Sequence, residues 1–147
     1  MANTNAAGKQ YLDNGNSTGA YLQGGLLAEG DTEGVGYGTG AGSTVTQATS
    51  ITTGVTINKV CGTITTVSST LGTGADATFT VTNSTVAATD VVIASIKSYG
   101  GTADGIPTVH VSATAAGSFD VNIRNQGATT LDAVIVINFA VIKAVAA

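Results

Sequence analysis

Tryptophan is absent from this 147-residue chain, and cysteine, histidine, proline and methionine occur once each. A single cysteine, Cys61, cannot form an intrachain disulfide, so no covalent staple holds the fold. Neither Cys61 nor the lone histidine, His110, has a partner at zinc-ligand spacing. A triad of His110, Asp120 and a serine lacks any nucleophile-elbow pattern. His110 therefore reads as a solvated or interface side chain, and Cys61 as a small buried hydrophobe. The loop Gly100-Gly-Thr-Ala-Asp-Gly105 supplies one carboxylate, Asp104. Calcium takes about six or more oxygens, so a turn explains the loop better. Gly34-x-Gly-x-Gly38 has no preceding strand, following helix or lysine, and so is no nucleotide loop. On these grounds no enzyme, metal site or cofactor is expected.

Charge is also scarce, at 10% of residues where soluble proteins average about 25%. Threonine, serine, asparagine and glycine stand in its place. So few lysines and glutamates leave little to blunt exposed strand edges or keep copies apart. The composition suggests a surface largely covered by other subunits, or one selected for stability over solubility. The five cations, Lys9, Lys59, Lys97, Arg124 and Lys143, are scattered singly in a chain of net charge -4. Nucleic-acid binding needs clustered cations and is not expected. The N-terminus has no basic and apolar signal-peptide pattern, which suggests synthesis in the cytoplasm. The longest apolar run, Ala133 to Ile142, is broken by Asn138 and too short for a membrane helix.

What the chain does have is unevenly spread. Eleven of its 20 glycines fall within residues 1–42, one at every second position from Gly34 to Gly42. Ordering such a segment costs much backbone entropy and buries little side chain. Residues 1–42 are therefore expected to form an extended arm, and 43–147 a β-sandwich. Tyr21, Leu22, Leu26, Leu27 and Tyr37 are the arm's candidate contacts with a partner surface.

From Thr44 onward the pattern is that of β-strands. Ala77, Phe79 and Val81 alternate with threonines, and Phe119, Val121 and Ile123 with polar residues, as in strands with one wet face. Val91–Ile96 and Ala133–Ile142 are apolar on both faces, which suits a sheet interior or a subunit interface. Turn signals divide the region into about eight strands, near 44–48, 55–59, 61–67, 76–82, 89–97, 107–113, 118–125 and 132–142. The simplest architecture for that count is an all-β, antiparallel sandwich of jelly-roll type. The loop Ser98–Ile106, with Tyr99 and Asp104, is the candidate ligand loop.

The blocks Gly36-Tyr-Gly-Thr-Gly-Ala-Gly-Ser-Thr-Val-Thr-Gln-Ala-Thr-Ser50, Thr53-Gly-Val-Thr-Ile-Asn-Lys59, Cys61-Gly-Thr-Ile-Thr65, Phe79-Thr-Val-Thr-Asn-Ser84, Ala88-Thr-Asp-Val-Val92, Ala115-Ala-Gly-Ser-Phe119 and Asn138-Phe-Ala-Val-Ile-Lys143 resemble a small protein family encoded in phages and prophages. The similarity covers residues 36–143. Related domains occur in capsid-associated proteins and in tail-fibre or receptor-binding contexts. The resemblance implies a virion structural protein and transfers no catalytic residue. The leading expectation is a decoration or cement protein on the capsid surface. Its partners would be the major capsid protein and further copies of itself, as a trimer, and the rival is a carbohydrate-recognising fibre module.

Overall fold

The computed structural model describes residues 3–4, 10–11, 36–68 and 70–145, which divide between two units, Met1–Gly36 and Tyr37–Ala147. In the first unit, β1 (Asn3–Thr4) and β2 (Gln10–Tyr11) pair antiparallel. The rest of the expected arm, including Tyr21, Leu22, Leu26 and Leu27, lies outside the described residues.

The second unit is all-β, with eight strands and no helix among the described residues. These are β3 (Gly42–Thr46), β4 (Val55–Thr56), β5 (Cys61–Thr65), β6 (Asp76–Thr82), β7 (Val91–Tyr99), β8 (Pro107–Ala115), β9 (Ser118–Asn125) and β10 (Ile135–Ile142). They form two four-stranded sheets, one in the order β3-β5-β10-β7 and the other β4-β6-β9-β8. Both are mixed, because β3 pairs parallel with β5 and β4 parallel with β6. This departs from the purely antiparallel expectation, and the cause is the path of the chain. From β3 to β8 successive strands alternate between the two sheets, so β3 and β5 meet after an excursion through the other sheet and run the same way. Only β8 and β9 form an in-sheet hairpin, closed by Ala116-Gly117 with Gly117 at φ +81°, a backbone region that glycine enters without strain.

Period-2 alternation brings the inward side chains of both sheets into one core. Ile64, Ile135, Ile137 and Val141 come from one sheet, and Phe79, Val81, Val121 and Ile123 from the other. Phe119 meets Phe139 across the middle with ring centroids 5.3 Å apart and planes tilted by 47°, a favoured aromatic geometry. Gly62 faces inward opposite Phe139, where a Cβ would stand 2.7 Å from Ile57 Cδ1 and 2.6 Å from the Ser43 carbonyl oxygen.

Buried amides fix the crossings between sheets. Gln47 Nε2 donates to the Ile51 and Thr53 carbonyls at 3.1 and 2.8 Å, shaping the β3–β4 link. Asn83 Nδ2 donates to the Lys59 carbonyl at 2.7 Å, while its Oδ1 accepts the Thr85 N–H and hydroxyl. Asn125 Nδ2 donates to the Leu71 and Thr129 carbonyls, and its Oδ1 accepts the Gly127 N–H. The strand β7 begins two residues later than expected because Asp90 caps the preceding turn, accepting the Ala87 N–H at 2.8 Å.

Candidate interaction surface

The register of the first sheet determines what its outer face presents. Across it run the rows Gly42–Cys61–Ala140–Ile93 and Thr44–Thr63–Asn138–Ser95, with Ile142 beside Val91 at one end. Val91 and Ile93 are each 52% exposed and Ile142 is 50% exposed. These are the strands whose sequences are apolar on both faces. Their inner side chains fill the core, and their outer ones form an uncovered apolar corner. The only charge along the outward positions is Lys97, the extra residue where the β7–β10 register shifts.

The outer face of the second sheet follows the ordinary binary pattern. Its rows are Asp76–Arg124–Thr108 and Thr78–Asn122–His110, followed by Thr80 beside Asp120. Arg124 and Asp76 form an exposed ion pair at 3.3 Å. Thr80 Oγ1 donates to Asp120 Oδ1 at 2.7 Å, and Asn122 Nδ2 to Thr78 Oγ1 at 2.9 Å. His110 is exposed on this face and makes no hydrogen bond to Asp120 among the described residues.

Tyr37, expected as an arm contact, belongs to the second unit. Its hydroxyl donates to the Val141 carbonyl, and its ring is 46% exposed. Lys59 Nζ reaches the Gly40 carbonyl at 3.1 Å, within the glycine-rich segment expected as the end of the arm. Cys61 is half-buried in the Gly42–Ala140 row.

The candidate ligand loop Ser98–Ile106 begins at the end of β7. Tyr99 turns inward and packs against the core, and its hydroxyl donates to Asp132 Oδ1 and accepts the Asp132 N–H, both at 3.1 Å. Burial pushes the Tyr99 hydroxyl above its ordinary pKa. Thr102 N–H also donates to Asp132 Oδ1 at 3.3 Å, and Thr129 N–H to the Asp104 carbonyl at 3.3 Å. The Asp104 side chain is exposed. Tyr99 thus laces the 100–106 loop to the 127–132 loop, with its hydroxyl already engaged.

A last polar cluster borders the apolar corner. The buried Asp90 carboxylate accepts the Ala87 N–H, the Ala144 N–H at 3.3 Å and the Lys143 ammonium at 2.5 Å. The Ala87 N–H above all, then Lys143, hold its carboxyl below the ordinary aspartate range against the opposing effect of burial. This clasp pins the chain after Ile142 beside the start of β7.

Among the described residues, no three His, Cys, Asp or Glu side chains converge as a metal site would require. Among the described residues no helix is long and apolar enough to cross a membrane. No protein-family model, curated protein or solved structure matches the chain.

Proposed function

We propose that this chain is a structural protein of a bacteriophage particle, a decoration protein that binds and stabilises the coat shell as a homo-oligomer. The observation that carries the reading is the outer face of the β3-β5-β10-β7 sheet, nearly free of charge and apolar at one corner. Protein surfaces that stay in water rarely leave such strand faces uncovered. The resemblance of residues 36–143 to a phage-encoded family supplies the particle, and the low charge supplies the crowded setting.

In this reading the second unit is a β-sandwich related to the jelly roll, and the glycine-rich N-terminal segment is an arm that spreads on neighbouring coat subunits. The major capsid protein is the partner, and a trimer on a symmetry axis of the shell is the assembly. The protein is made in the host cytoplasm and resides on the capsid surface. It performs no catalysis and binds neither nucleic acid nor membrane.

The test is the copy number per purified particle relative to the major coat protein. A value in the hundreds, near a simple fraction of the coat count, is expected. A dozen or so would place the chain in a fibre or tail, and absence would remove the virion reading.

A further inference from the structure

We propose that Asp104-Gly105 is an aspartyl isomerisation site kept closed by the lacing of the 100–106 loop to the 127–132 loop, so that the modification follows only when the loops part. The inference concerns the second unit alone and does not rest on the proposed function.

The chemistry belongs to the dipeptide, the one Asp-Gly pair in the chain. The Gly105 nitrogen attacks Cγ of the protonated Asp104 carboxyl, a C–N bond closes a cyclic imide, and the carboxyl OH leaves with the amide proton as water. Water then adds to the imide carbonyl next to Cα, breaking the original C–N bond and leaving Gly105 joined through Cγ. Mass and charge are unchanged, and the main chain is longer by one carbon. Glycine favours the attack because no Cβ crowds the nitrogen. The Asp104 side chain is exposed, so nothing in its own burial prevents the reaction.

Attack requires the Asp104-Gly105 peptide to turn its nitrogen toward the side chain, and the fold holds that peptide at both of its polar groups. Its N–H donates to the Thr102 carbonyl at 3.1 Å, closing a turn, and its carbonyl accepts the Thr129 N–H at 3.3 Å. Gly127 lies so close that a Cβ there would collide with the Asp104 carbonyl oxygen and stand 2.5 Å from the Ile106 nitrogen. Gly105 is itself buried, and its own Cβ would be 3.0 Å from the Tyr99 hydroxyl, the group that grips Asp132. The peptide therefore turns when Tyr99 and Asp132 release the loop, a local opening short of global unfolding. Once made, the longer main chain no longer presents its carbonyl to Thr129 in register, so the loops stay unlaced.

The full chain is aged at neutral pH, folded and in urea, and isoaspartate at position 104 is read by electron-transfer fragmentation of the Ser98–Arg124 tryptic peptide. Folding is expected to slow its formation by about tenfold or more, a factor set by the rarity of loop opening. Tyr99→Phe should raise the folded rate about fivefold, the share of one net hydrogen bond, and leave the rate in urea unchanged. Asp104→Asn, at an exposed position, puts a faster-reacting amide in the same loop, and its deamidation should be slowed by folding to a similar degree. Equal folded and urea rates in the wild type, or no isoaspartate in either, overturn the proposal. So does a Tyr99→Phe variant that melts cooperatively yet ages at the wild-type rate. If Tyr99→Phe does not fold, Asp104→Asn decides: deamidation as fast folded as in urea overturns the guard, and deamidation slowed by folding supports it.

Discussion

Replacing Asn125 by alanine should destabilise the second unit by about 3 kcal/mol, far more than a loop-border asparagine ordinarily contributes. Asn125 has no exposed surface, and its side chain makes three hydrogen bonds: to the Leu71 carbonyl at 2.9 Å, to the Thr129 carbonyl at 2.8 Å and from the Gly127 N–H at 2.9 Å. Alanine leaves the Thr129 carbonyl and the Gly127 amide without partners, while the Leu71 carbonyl keeps the Leu131 N–H at 2.9 Å, at about 1–3 kcal/mol for each unsatisfied buried group. The lower end of that range suits the carbonyl, which tolerates isolation better than an N–H. For a unit of this size the loss corresponds to a fall in Tm on the order of 10–20 °C.

Asn125→Asp separates hydrogen bonding from volume. At neutral pH a carboxylate would face the two carbonyl oxygens that the amide now donates to. Burial and those oxygens raise the introduced carboxyl's folded pKa above its unfolded value. The variant's stability relative to wild type is therefore fullest below the ordinary aspartate range and falls as pH rises through the folded value. Urea unfolding at several pH values, with the denaturant slope held constant between variants, reads both effects. A loss below about 1 kcal/mol for Asn125→Ala, or an Asn125→Asp deficit flat with pH, would refute the assignment of this side chain as the staple of the 125–131 loop.

Three further outcomes are expected. Asp90 is held below its ordinary pKa by the Ala87 N–H and then Lys143, so its contribution is present above the ordinary aspartate range and lost as pH falls through the lowered folded value. Thermal melts should show wild type losing more stability on acidification than Asp90→Asn, and parallel pH profiles would contradict this. Gly62→Ala inserts a methyl 2.6 Å from the Ser43 carbonyl oxygen and 2.7 Å from Ile57, and should cost about 1–3 kcal/mol by overpacking; a neutral urea midpoint would show that β3 yields freely. Tyr99→Phe removes the hydroxyl shared by the Asp132 carboxylate and amide, which should lower stability by about 1 kcal/mol and speed amide exchange at Thr102 and Asp132. Unchanged exchange there would mean that the two loops are held by other contacts.

The sequence by itself determined that the second unit is all-β and where most strands run. Hydrophobic alternation is a local property, and Ala77, Phe79 and Val81 point to one side of any strand that contains them. The turn signals at Asn83, Gly117 and Asn125 likewise marked boundaries. That Asn83 and Asn125 are buried staples was not legible, because their partners lie up to 54 residues away. The two parallel edge pairings were hidden for the same reason: partner choice depends on the path of the whole chain, with strands alternating between sheets.

Tyr99 shows how one local irregularity redirects a side chain. Counted by twos from Val91 and Ile93, it points outward, where a ligand platform would need it. The extra residue at Lys97 reverses the parity and turns the ring onto the core. The two-faced strands ended the other way. Their sequences allowed either a sheet interior or an interface, and the described residues of the second unit form two sheets. One side of β7 and β10 fills the core they share, so Val91, Ile93 and Ile142 are left facing out. Only the tertiary structure could decide this, since the number of layers is a property of the whole chain and no single strand encodes it.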